Sequence, residues 1–154
     1  MKFKNDFSVL IVIIFAIVMS FLLINNGIYQ KTKIEHIKYI IIAGTKLKVD
    51  LALTKEEQMQ GLSGRNEFPE NHGMLFVFDH PDKYLFWMKN MNFPIDIIWI
   101  GEDMKVVYIK KDAKPELYLE TYGSEKDAKY VLEVIAGFSE KNNLKEGDKV
   151  EFTY

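Results

Sequence analysis

Cysteine is absent from the 154 residues, and histidine is scarce, at three. The first absence removes disulfides, thiolate metal sites, catalytic thiols and lipid attachment through cysteine, and it is compatible with an oxidising compartment. The second leaves His36, His72 and His80, none at i, i+2 or i+4 from another. A metal site drawn from His72, Asp79 and His80 is the weak remaining option, so no metal and no cofactor are expected. A glycine-rich phosphate loop and a nucleophile elbow are missing too. Basic residues do not dominate either. Setting aside Lys2, Lys4 and Asp6, the 20 basic and 22 acidic residues become 18 and 21, a formal net charge of −3. With no basic stripe interleaved with aromatics, that balance argues against nucleic acid as a partner.

What is abundant is apolar, 48% of the chain. Part of it is one run, "FSVLIVIIFAIVMSFLLI" (Phe7 to Ile24), without a charge. Eighteen helical residues span roughly 27 Å, near the thickness of a bilayer core. The run exceeds the apolar core of a cleaved signal, and "LLINNG" lacks a small-residue cleavage site. Residues 7–24 are therefore expected to anchor the chain in a membrane, with a cleaved, secreted form as the alternative. A signal anchor places the C-terminal domain outside the cytoplasm, although Lys31, Lys33 and Lys38 weaken the charge bias. The expected organisation is residues 1–26 as anchor or signal, 27–36 as a short linker, and 37–154 as one domain.

That domain reads as strands. "LKVDLAL" (Leu47 to Leu53) alternates apolar and polar residues, as a half-buried strand does. "MLFVF" (Met74 to Phe78) is apolar throughout, a strand covered on both faces. "IDIIWI" and "KVVYIKK" flank "GEDM" as a hairpin. "IKYIIIAG", "YVLEVIAG" and "KVEFTY" add further strands, and His80-Pro81-Asp82 reads as a turn. Thr54 and Glu57 form a capping box for a helix from Lys55 to about Gln60, stopped by Gly61. Ser139 to Asn143 reads as one helical turn. The fold class expected is mainly β, a compact sandwich or barrel-like domain with one or two short helices, preceded by one N-terminal transmembrane helix. Those helices look like insertions, too short to cross between parallel strands.

Five motifs in order carry a resemblance: "GLSGR" (Gly61 to Arg65), "GMLFVF" (Gly73 to Phe78), "FWMKNMNFPIDIIWI" (Phe86 to Ile100), "YVLEVIAG" (Tyr130 to Gly137) and "LKEGDKVEF" (Leu144 to Phe152). Together they resemble the domain of unknown function 192 family, over about Lys46 to Phe152. The resemblance implies a small, mainly β domain, often exported or anchored, and it carries no catalytic residues. Two positions depart from the usual pattern of that family: Ser63 stands where methionine is usual, and Met91 where threonine is usual.

The candidate ligand-binding residues are Arg65, Trp87, Lys89, Asn90 and Asp96. Asp96 interrupts isoleucines on both faces of its strand, so it needs donors. It is expected either to fix the "KNMNF" loop through backbone amides or to act as an acid/base. Lys89, Asn90 and Asn92 sit in a loop stiffened by Pro94. Arg65 is expected to pair with Asp96 or to hold an anion. The cluster of aromatics from Phe76 to Trp99 reads mainly as core, with Trp87 and Trp99 expected to stay partly exposed because residues of their size are rarely fully buried. The function these residues predict is binding of a small polar ligand or a cell-envelope partner. The alternatives are an envelope hydrolase or lyase using Asp96, and a structural or interaction domain without a site.

Overall fold

The computed structural model describes residues 3–117 and 119–154. It divides into two compact units, 1–36 and 37–154.

The first unit is a helix, α1 (Phe3–Ile34). Its Ser8–Ile28 portion is long and apolar enough to cross a membrane, and none of that stretch is buried against protein. A signal sequence near an N-terminus meets the same description. The helix continues to Ile34, so most of the segment expected as a short linker is helical.

The second unit is built on a curled seven-stranded sheet in the order β6-β5-β8-β3-β2-β1-β9. The strands are β1 (Tyr39–Ile42), β2 (Thr45–Ala52), β3 (His72–Asp82), β5 (Ile95–Ile100), β6 (Val106–Ala113), β8 (Ala128–Ile135) and β9 (Val150–Thr153). Two short strands, β4 (Leu85–Trp87) and β7 (Thr121–Gly123), pair as a separate ribbon. Helices α2 (Lys55–Gln60) and α3 (Phe138–Lys141) complete the unit.

The apolar strands are central. β5 is buried at every position, as is β3 from Gly73 to Val77. Both faces of the sheet are covered, so alternation has nothing polar to place there. One face carries Ile40, Ile42, Leu47, Leu75, Ile98 and Leu132. The other carries Met74, Phe76, Val131, Ile95, Ile97 and Trp99, packed under Leu62, Phe68, Met88 and Tyr122. The sheet curls until its edges meet at one end. Val106 N–H donates to the Asp148 carbonyl at 3.0 Å, and Val150 N–H to the Met104 carbonyl at 2.9 Å.

Two expectations are corrected. β2 and β3 are parallel, so α2 lies in a crossover after all. A crossover requires a dozen or more residues, not a long helix, and residues 53–71 supply them. The turn expected at His80-Pro81-Asp82 is strand: β3 runs to Asp82, with its register broken between Val77 and Asp82. Pro81 is tolerated in that irregular stretch because no ladder donor is needed there.

Candidate functional site

A row of residues crosses the sheet on the face under α2. Cα pairing aligns Asp50 of β2 with Met74 of β3, Met74 with Glu133 of β8, and Glu133 with Ile97 of β5. Glu133 therefore stands on a central strand between a methionine and an isoleucine, and it is 4% exposed. Its Oε2 has no hydrogen-bond partner. Burial pushes the carboxyl up to about 8, opposed in part by the Arg65 guanidinium. At neutral pH the side chain is mostly an uncharged acid.

Glu133 lines a cavity of about 340 Å³. Around it are the aromatic rings of Phe76, Phe78, Tyr84, Phe86 and Trp87, with Met91 and the α2 residues Gln58 and Met59. The capping box places α2: Thr54 Oγ1 accepts from Glu57 N–H, and Glu57 Oε2 accepts from Thr54 N–H at 2.9 Å. Gln58 then ties the helix to both flanking strands, donating to the carbonyls of Ala52 and Val77. Gly61 ends α2 with φ of 51°. A Cβ there would lie 3.3 Å from Phe76 Cζ and 3.6 Å from Glu133 Oε2, so the glycine opens the space above the carboxyl.

The "KNMN" loop and the "GLSGR" segment interlock through main-chain groups. Ser63 Oγ donates to the Lys89 carbonyl at 2.9 Å, Gly64 N–H to the Asn90 carbonyl at 2.8 Å, and Asn92 Nδ2 to the Arg65 carbonyl at 2.9 Å. Met88 and Met91 are buried beneath the loop. Lys89 and Asn90 thus contribute carbonyls to the joint, while their side chains face solvent. Ser63 and Met91, the two departures from the family pattern, both line the cavity.

The expected site residues separate. Trp87 lies on the cavity rim, 50% exposed. Arg65 lines an adjoining groove that shares Gln60, Gly61 and Ser63 with the cavity. It pairs with Asp50 at 2.9 Å, not with Asp96. Both partners of that pair are well exposed, so it adds little stability. Asp96 neighbours Val134 in register, so by alternation it projects from the opposite face to Glu133. It is 1% exposed. Its Oδ1 accepts from Asp112 N–H at 2.9 Å and Gly137 N–H at 3.4 Å, and its Oδ2 from Ser139 N–H at 2.8 Å. The amides come from β6 and α3, not from the "KNMNF" loop. Asp96 fastens three elements and presents no open oxygen to a substrate. Trp99, expected to be among the less buried, is fully enclosed, with Nε1 donating to the Tyr84 carbonyl.

Sequence reasoning passed over Glu133. The signal was present in "VLEVI": a carboxylate amid apolar residues on both faces, the same argument that singled out Asp96. Among the described residues, no group of three or more His, Asp or Glu could hold a metal ion.

The domain has close structural counterparts. A protein of unknown function from Novosphingobium aromaticivorans DSM 12444 shares 34% identity and a TM-score of 0.71, over 75% of this chain and 84% of that one. A "putative transcription regulator" from Sinorhizobium meliloti 1021 shares 32% identity and a TM-score of 0.69, over 74% of this chain and 90% of that one. No curated protein matches the chain. The family described as "Uncharacterized ACR" matches residues 39–152. On that match the chain belongs to the domain of unknown function 192 family.

Proposed function

We propose that this protein is a membrane-anchored, extracytoplasmic module that binds a small ligand in the Glu133 cavity. The observation that carries the reading is a buried carboxyl oxygen without a hydrogen-bond partner, on a central-strand residue that lines an aromatic-walled cavity of about 340 Å³. A buried polar atom without a partner is unfavourable by about 1–3 kcal/mol, and a ligand that supplies the missing bond recovers that energy. The volume matches small-molecule sites, which pair an apolar wall with a few polar groups.

The anchor reading rests on α1. Its Ser8–Ile28 portion carries no charge and none of it is covered by protein, which suits lipid better than water. Catalysis has less support. Ser63 Oγ is bonded to the Lys89 carbonyl and Tyr84 Oη to the His80 carbonyl, so neither cavity hydroxyl is paired with a base. A regulator that binds nucleic acid would sit poorly with a net charge of −3 outside the first 26 residues.

The test is Trp87 fluorescence in the full chain held in nanodiscs, titrated with a panel of small amphipathic molecules. Binding is expected to shift the emission, and Trp87→Phe is expected to remove the signal. A panel without any saturable response, or saturable responses that are unchanged when Gly61→Ala narrows the cavity, would refute the reading.

A further inference from the structure

The cavity walls and its floor have complementary preferences. Aromatic rings carry negative π faces, which attract cations and disfavour anions, while their bulk shelters apolar groups. Five rings line the space: Phe76, Phe78, Tyr84, Phe86 and Trp87. At the floor is Glu133, more than nine-tenths buried, with Oε2 lacking a partner. From this juxtaposition we infer that the ligand is a small organic cation, its ammonium seated among the rings and facing Glu133. The inference rests on the Glu133 cavity being the binding site.

The charges around the cavity permit this. Lys55, at the start of α2, lies on the lining and is exposed to water. Arg65 is committed to Asp50 at 2.9 Å. Glu56 and Glu57 of α2 line the adjoining groove with Arg65. Strands β3 and β5 place Met74 and Ile97 beside Glu133, and β4 adds only Leu85, Phe86 and Trp87. Tyr84 is the other titratable group of the lining, and burial raises its phenol further from neutrality. An ionised anion would meet the Glu133 carboxylate once that group is deprotonated, and Glu56 and Glu57 lie in the adjoining groove. A cation meets one solvated lysine and one arginine already paired.

Binding of such a cation moves one proton. The uncharged Glu133 carboxyl releases its O–H proton to solvent, and the carboxylate left behind pairs with the ammonium. Affinity should therefore climb with pH until the free carboxyl is ionised, at about 8. The slope below that point is roughly tenfold per pH unit.

The experiment uses the full chain in phosphatidylglycerol nanodiscs and two matched pairs of probes. One pair is choline and its uncharged twin 3,3-dimethylbutan-1-ol; the other is hexylammonium and hexan-1-ol. Dissociation constants are read by isothermal titration calorimetry between about pH 6 and pH 9, so that the readout survives replacement of Trp87. The cations are expected to bind more tightly than their twins and to gain roughly 50-fold between about pH 6 and pH 8. Glu133→Gln should abolish that gain and leave the alcohols unchanged. Trp87→Leu, at the exposed rim where folding is not at stake, should weaken the cations by roughly 2- to 30-fold. Repeating the titration in phosphatidylcholine discs separates sources: competition identifies a lipid headgroup as the ammonium donor, and unchanged affinity identifies a free amine. If the alcohols bind as well as the cations, the cationic reading falls while the cavity remains a binding site. If neither class binds, both readings fall.

Discussion

Glu133 and Asp96 are both carboxylates on buried strands, yet their surroundings assign them opposite tasks. Asp96 has three backbone amides and serves as a fastener. Replacing it with asparagine removes a charged acceptor from buried donors, so Asp96→Asn should lose about 2–4 kcal/mol of stability. Thermal melts check this, and a variant as stable as the parent would contradict it. Glu133 has an oxygen with nothing to accept from. Folding lifts its carboxyl from 4.5 to about 8, so between those values the native state holds more protons than the unfolded chain. Stability therefore falls as pH rises through that window, by on the order of 3 kcal/mol at pH 7. Glu133→Gln removes the dependence. Its melting temperature should draw ahead of the parent's from about pH 5 to pH 8, and parallel curves would defeat the argument. Nothing in the local sequence distinguishes the two acids, because the amides that satisfy Asp96 lie 16 to 43 residues away.

The element most sensitive to small changes is α2, which forms one wall of the cavity. Thr54→Ala breaks its capping box and should reduce stability by about 1 kcal/mol. The more telling change is Gly61→Ala. It forces a side chain into a left-handed φ of 51° and brings a methyl to 3.6 Å from Glu133 Oε2. A destabilisation of about 1–3 kcal/mol is expected, with weaker ligand response, read by melts and by fluorescence. Retained affinity would mean that ligands enter elsewhere. The cap, helix and stop were readable because they are local: Thr54, Glu57 and Gly61 are within one another's reach along the chain. The ribbon of β4 and β7 was not. "TYG" is three residues without alternation, and it becomes a strand only because Leu85 to Trp87 lie opposite.

For the molecule as a whole, Ser8–Ile28 is long and apolar enough to cross a membrane, and residues 37–154 form a compact unit of their own. Deleting residues 1–36 should move the protein from the membrane to the soluble fraction while the domain of residues 37–154 keeps its fold, as fractionation and circular dichroism would report. A protease added outside sealed cells should degrade the domain of the full chain; protection would place it in the cytoplasm. The domain itself holds together by covering both faces of one curled sheet, and the crossover of residues 53–71 brings α2 over the face that carries Glu133.

The chain's own residues were enough to specify the apolar helix, the strand segments, the "GEDM" hairpin and the cap of α2. Each depends on periodicity or on partners a few residues apart, which the backbone's short repeats make visible. Tertiary structure alone decided that β2 and β3 run parallel, that Arg65 meets Asp50, that Asp96 serves the far side of the sheet, and that Glu133 is the carboxyl facing the cavity. Those outcomes depend on which strands become neighbours and on how far the sheet curls. Long-range pairing is set by the sum of many apolar contacts, and no short stretch of sequence records that sum.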